Sequence, residues 1–408
     1  MSYLAFLRVN WLFLSAGILM TFGSSYGQTF FISLFAAEIK GAFGLTDGGW
    51  GAVYTLATTA SAIVMVWAGA LTDRFRVRAL ARYVLLGLAV ACLMMTQAPG
   101  VWWLVLTVFA LRFFGQGMMS HLAVVAMARW FVATRGKALS IATVGFSIGT
   151  AFLPILFAPL LLSVDWRWLW VVVALITLAT IPVLSILLRF ERTPQAMAEE
   201  TQATGMGGRH WTRNEVLRHP VFWLLVPVLL GPPAWGTALA FHQVHLAEVK
   251  GWSFVSYVAL YPLSTAVAVG STFASGWAID RFGSARMLPF YMLPFGGAFL
   301  LMWLTAGIPG AALALVTFGV GQGFQATVAS AFWAEFFGTR HIGSIKAVAG
   351  AIMVFGSAIG PGITGVLIDL GYSFPEQMPV LALYFLIAAL MATIAARTAT
   401  RSFSAAAT

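Results

Sequence analysis

Apolar residues run through this chain in helix-length blocks separated by short polar segments. Twelve blocks are recognisable, at 11–37, 50–71, 79–97, 101–127, 138–162, 166–189, 221–247, 255–278, 286–306, 309–333, 344–370 and 377–396. A helix of about 20 residues crosses the hydrocarbon layer of a bilayer, so each block is a candidate span. None shows the alternating pattern of an outer-membrane barrel strand. The pattern predicts an all-α membrane protein with twelve transmembrane helices. The first block runs on too far for a cleavable signal.

Composition agrees. Of the 408 residues, 60% are hydrophobic and 9% charged, where soluble proteins carry about 25% charged residues. A lipid bilayer is the solvent such a chain requires. The single cysteine, Cys92, excludes an intrachain disulfide and a cysteine-cluster metal site. No nucleotide-binding motif or triad-like arrangement is present, so neither an enzyme nor a cofactor is expected. The net charge of +10 reflects placement, not a nucleic-acid partner. With both termini in the cytoplasm, all but four of the 23 lysines and arginines lie on the cytoplasmic side. Lys40, Arg167 and Lys250 lie outside, and Arg112 lies within the membrane. That bias predicts a multi-pass protein of a bacterial-type inner membrane with both termini cytoplasmic.

The chain also repeats itself. GALTDRF at 69–75 returns as GWAIDRF at 276–282, and GQG at 115–117 returns at 321–323. AEIKG at 37–41 returns as AEVKG at 247–251, and Gly145 and Gly149 match Gly356 and Gly360. The offsets stay between 206 and 211 and the order is kept. Spans one to six and seven to twelve are therefore parallel repeats, occupying 1–189 and 221–408. The polar stretch 190–220 reads as a linker. Near its end, Thr212 and Glu215 form a capping-box signature, predicting a short helix before span seven.

Six plus six spans, a long central loop and a G-x-x-x-D-R-F loop after spans two and eight resemble the major facilitator superfamily. RFFGQG in span four, RWFVATRGKAL at 129–139 and HPVFWLL at 219–225 resemble its monocarboxylate and oxalate–formate branch. One departure is Arg76, where the pattern has glycine; the second copy keeps Gly283. The resemblance implies secondary transport by alternating access. It assigns gating to the loop residues Gly69, Asp73, Arg74, Gly276, Asp280 and Arg281, with Glu335 as the partner of Arg281. It also implies that the glycine-bearing helices, spans five and eleven, form the contact between halves. Small residues spaced in this way let backbones pack closely.

Helical phase locates polar faces. Span eight carries Tyr257, Tyr261, Ser264, Ser271 and Ser275 on one face, and span two carries Tyr54, Thr58 and Ser61 likewise. Such stripes line water or bond to a neighbouring helix. In span seven, Pro227 and GPPAWG at 231–236 remove backbone donors and predict a kink or break. Interrupted helices at mid-depth point to transporter sites. Trp235 lies at that depth. His242, seven residues on, offers a protonatable donor or a simple interfacial hydrogen bond. Shifting span one by 210 sets Gln28 opposite Ala238, in the same cavity.

Arg112 is the one charge near the middle of a span. Such a placement costs about 2.5–3.5 kcal/mol on insertion scales. All 13 acids fall at helix ends or in loops, so the simplest counter-ion is an anionic substrate. The repeat copies Gly115, Gln116 and Gly117 but replaces Arg112 by Phe318. That asymmetry favours chemistry, with coupling and helix packing as the other readings. In α-helical winding Gln116 lies about 40° from Arg112, and His121 about 180° away.

These observations predict a secondary transporter of a small organic anion, most simply a monocarboxylate, by proton symport or anion exchange. Arg112 would pair with the carboxylate. Gln116, Gln28 and Gln322 would add hydrogen bonds, Trp235 and Tyr261 an apolar wall, and His242 a second donor. A monomer is expected. The rival readings are export of amphipathic drug-like compounds, which the 14% aromatic content allows, and a nutrient sensor on a transporter scaffold.

Overall fold

The computed structural model describes residues 3–69, 71–97, 99–131, 135–189, 205–338 and 341–404, leaving aside the side chains of 3–5, 73–74, 128–129, 135–137, 342–344, 347 and 402–404. Among the described residues there is no strand. The chain divides into two compact units, Met1–Glu199 and Glu200–Thr408. Six membrane-length helices occupy the first: Phe6–Gly27, Asp47–Ala68, Val77–Thr96, Val101–Met127, Ala138–Leu160 and Trp166–Leu187. Six occupy the second: Pro220–Phe241, Phe254–Phe282, Ser284–Leu304, Ile308–Phe337, Val348–Asp369 and Phe374–Arg401. They are called spans one to twelve. The expected all-α, twelve-helix architecture is present.

Duplication extends to packing. In the first unit, span one packs on five, two on four, and three on six. In the second, seven packs on eleven, eight on ten, and nine on twelve. Glycine makes these seams close. A Cβ on Gly145 would fall 1.9 Å from the Ile18 carbonyl, and one on Gly360 2.1 Å from that of Ala234. So the glycine rows of spans five and eleven face spans one and seven of their own unit. Hydroxyls reinforce the seams: Thr21 Oγ1 donates to the Ala142 carbonyl at 2.5 Å, and Ser264 Oγ to that of Leu315 at 2.8 Å. Ser275 and Thr327 share a hydrogen bond at 2.5 Å. At Ser264 and Ser275, then, the polar stripe of span eight bonds to span ten.

Spans one, four, eight and nine depart from regular α-helix, and not all where proline predicts. Span one ends its first helix at Ser24, makes a 3₁₀ turn over Ser25–Gly27, and passes through extended Gln28 (φ −85°, ψ 152°) into Thr29–Ile32. Span four is π-helical over Leu111–Met119. Span seven, expected to break at its prolines, stays helical from Pro220 to Phe241. Pro232 has no N–H for the Val228 carbonyl. The Tyr291 hydroxyl donates there instead at 3.4 Å. The Tyr384 hydroxyl donates to the Pro227 carbonyl at 2.8 Å, which proline has not freed, since its helical donor is Gly231. Neighbouring helices that re-satisfy freed carbonyls are what make proline tolerable in a membrane. The break comes later, at His242 (φ −92°, ψ 22°). Phe35 (φ −94°, ψ 13°) turns span one in the same way, before helix Ala36–Phe43.

Residues 190–204 of the expected linker lie outside the described residues. Its second part belongs to the second unit. Trp211 donates its backbone N–H to the Phe337 carbonyl at 3.1 Å and its indole N–H to that of Met206 at 2.9 Å. The capping box forms as expected: Glu215 Oε2 accepts from the Thr212 backbone at 2.8 Å and from its hydroxyl at 2.7 Å.

Two outcomes follow. Gly360→Ala is expected to lower stability by about 1–3 kcal/mol through overpacking, whereas Gly276→Ala, with nothing within 4 Å of its Cβ, is neutral to packing; thermal unfolding in detergent checks both. Hydrogen bonds from Thr212 hold Glu215 below the usual carboxylate range. Its contribution is therefore present above the unfolded pKa and lost as pH falls through the lowered folded value. Hydrogen exchange at residues 211–218 is expected to speed up across that acid window beyond its intrinsic pH dependence, and Thr212→Ala to weaken the response.

Candidate functional site

The first unit builds its site around the break in span one. The Phe31 N–H, which would close a helical turn on Gly27, bonds to the Gln28 carbonyl instead at 3.1 Å. The Gly27 carbonyl is left for another donor. Span four supplies it. Gly27 lies so close to the π segment that a Cβ there would fall 2.1 Å from the Leu111 carbonyl and 2.8 Å from Gly115 Cα. Side chains are excluded at this crossing, and Arg112 reaches over it.

Arg112 is 1% exposed. Its Nη1 donates to the Gly27 carbonyl at 3.1 Å and to Thr29 Oγ1 at 3.3 Å. The guanidinium stands 5.2 Å from the Tyr54 ring centroid, a cation–π contact. The Thr29 and Tyr54 hydroxyls are bonded to each other. Arg112 Nε is buried without a partner. Every one of these contacts is to an uncharged group. Gln116 on the π segment and Gln28 at the break are both half-buried. Thr29 was not predicted; its only sequence signal is its place just beyond a glycine–glutamine pair in an apolar block. The π winding also alters the α-helical phase assumed for His121. That ring lies beside span two, where a Cβ on Gly69 would stand 3.5 Å from its Nε2.

The second unit has no charge at the corresponding place in the repeat. Phe318 occupies the place of Arg112, and a Cβ on Gly236 would fall 3.0 Å from its ring. Phe318 packs edge-on against Phe295 at 5.1 Å. Tyr261 is buried and its hydroxyl donates to Gln243 Oε1, a partner the sequence reading missed. Trp235 meets the Tyr384 ring at 5.5 Å, and its indole N–H has no acceptor. Gln322 is exposed between the buried Gly321 and Gly323.

Two candidates have other partners here. His242 is 2% exposed, with Nε2 3.2 Å from the Pro361 carbonyl and its ring 5.3 Å from that of Phe374. Glu335, expected to pair with Arg281 in one conformation and part from it in another, accepts from Ser284 Oγ at 2.5 Å, and Arg281 and Asp280 are exposed. The side chains of Asp73 and Arg74 lie outside the described residues.

A duplicated twelve-span bundle with a buried guanidinium facing no acid is the architecture of a membrane transporter. Residues 17–361 match the sequence profile of the Major Facilitator Superfamily. The chain belongs to the Major Facilitator Superfamily. No curated protein matches its sequence. Among solved structures it is similar to a bacterial homologue of the human lysosomal transporter Spinster. The inward-facing, unoccupied form aligns at 19% identity and TM-score 0.65, over 97% of both chains. The inward-facing, occupied form aligns at 17% and 0.65, over 97% of this chain and 96% of that one.

Arg112→Leu is expected to leave the Gly27 carbonyl unpaired, costing about 1–3 kcal/mol. Tyr54→Phe keeps the ring under the guanidinium but removes the bond to Thr29, costing about 1 kcal/mol. Denaturant unfolding of the purified protein measures both.

Proposed function

We propose that this transporter carries a small organic monoanion, of the monocarboxylate class, by alternating access. The observation that supports this is Arg112: a fully buried guanidinium whose contacts are neutral and whose Nε is unpartnered. A charge inside a membrane calls for an opposite one. A carboxylate could take two N–H groups of a guanidinium in the bidentate geometry that makes such pairs strong. One basic group, not two, suits a single carboxylate. In the first unit Gln116 and Gln28 supply hydrogen bonds to the remaining substrate atoms. In the second unit, taken by itself, Trp235, Tyr261 and Gln322 are the candidate contacts. Phe318, in place of a second arginine, argues against a dianion. His242 has no part in this reading, since its ring nitrogen is taken up by Pro361.

The coupling follows from the same census. The acids of the described spans lie at their ends, so anion exchange needs no carboxylate relay, whereas proton symport would carry the proton on the substrate. The lysine and arginine bias supports cytoplasmic termini in a bacterial-type inner membrane, with a monomer as the working unit.

Reconstituted protein is expected to take up labelled short-chain monocarboxylates. Arg112→Ala and Arg112→Lys are expected to lower uptake by at least about tenfold, the loss of a charge-assisted bidentate pair being worth roughly 1.5–3 kcal/mol. Lysine keeps the charge but loses the fork. Uptake unchanged in Arg112→Ala at matched reconstitution would remove the guanidinium from the site. Wild-type uptake of an amphipathic cation but of no monocarboxylate would overturn the substrate class.

A further inference from the structure

Spans three and six meet at a seam that carries arginine on both sides. Arg82 of span three donates its Nε to Ser185 Oγ of span six at 3.0 Å. Its two terminal nitrogens have no protein partner among the described residues. One turn nearer the helix ends, Arg78 lies on span three and Arg189 just beyond span six. Arg82 and Arg189 are exposed. Away from these ends the same helices present bare apolar surface: Tyr83 is 72% exposed and Ile186 63%. In a chain that spans a bilayer, that surface faces acyl chains.

The repeat separates what the fold needs from what it does not. Spans nine and twelve pack as spans three and six do. At the 207-residue offset, however, Arg76, Arg78 and Arg82 become Gly283, Ala285 and Pro289. The second pair keeps arginines near this end, Arg286 on span nine and Arg397 on span twelve, but has no charge at the place of Arg82, so the pair packs without that one.

We propose that this seam binds the headgroup of an anionic phospholipid, with Arg82, Arg78 and Arg189 on the phosphate and Tyr83 and Ile186 along its chains. Arginines bonded to phosphate by forked N–H groups, beside an apolar helix face, fit a lipid phosphodiester better than a soluble anion, which has no use for the apolar part.

The test uses the full chain in neutral detergent, titrated with phosphatidylglycerol, phosphatidylcholine or water-soluble glycerophosphoglycerol. Lipid retention is read by native mass spectrometry and thermal shift. Phosphatidylglycerol is expected to bind and stabilise, and phosphatidylcholine to do neither. An interfacial arginine contributes roughly 1 kcal/mol, so Arg82→Gln is expected to weaken binding about fivefold and the triple Arg78→Gln, Arg82→Gln, Arg189→Gln variant about a hundredfold. Arg397→Gln with Arg401→Gln removes charge elsewhere and is expected to leave binding intact. Equal binding by wild type and the triple variant overturns the proposal, as does equal loss in the Arg397 and Arg401 control. Glycerophosphoglycerol binding as tightly as the lipid overturns the lipid as occupant. Should the triple variant fail to fold, Arg82→Gln decides: a fivefold loss supports the site and no loss removes it.

Discussion

Inside a bilayer, a backbone carbonyl that leaves its helical ladder has only protein donors to turn to. Much of the polar chemistry of this chain answers that demand. Arg112 and the Gly27 carbonyl are the clearest case, because the break that frees the acceptor and the charge that meets it lie on different spans. Tyr291 likewise brings its hydroxyl to the Val228 carbonyl, which Pro232 leaves without a helical donor. Polar residues at mid-depth are thus of two kinds: those occupied by backbone, and those with capacity to spare. Trp235 and Arg112 Nε are of the second kind. The difference decides where a substrate can be held.

The two units differ at this place in the repeat. Gly27 meets the backbone of span four where Arg112 leans over it, whereas Gly236 meets only the ring of Phe318. The charge goes only to the unit whose first span is interrupted, where a freed carbonyl lowers the cost of burying it. Arg112 is therefore structural in this unit, and in the proposed reading it is also the group that meets the anion. Its protein contacts are neutral, so an anion would meet an uncompensated charge without displacing an ion pair.

Spans, repeats and the capping box were legible because they rest on local rules: block length, offset, and a serine or threonine three residues before a carboxylate. The glycine rows were legible as close contacts, and the structure adds which helix each one meets. Winding was not legible. Nothing in LRFFGQGMM demands a π-helix; the backbone contact between Gly27 and Gly115, far apart in sequence, accompanies it. The prolines of span seven misled because the hydroxyl that meets the carbonyl freed by Pro232 comes from Tyr291, on another helix. At Glu335 the resemblance named Arg281, while the partner here is Ser284, three residues further on.

The π segment has one more consequence. Bonds from i to i+5 house an extra residue per turn relative to an α-helix. Exchange between the two windings therefore comes in whole residues, each a rotation of about 100°. Arg112 and His121 flank most of that segment, one held by span one and the other beside the end of span two. Span four is thus a shaft whose two ends are held by different spans, with a change of winding between them that would reset their alignment by whole residues.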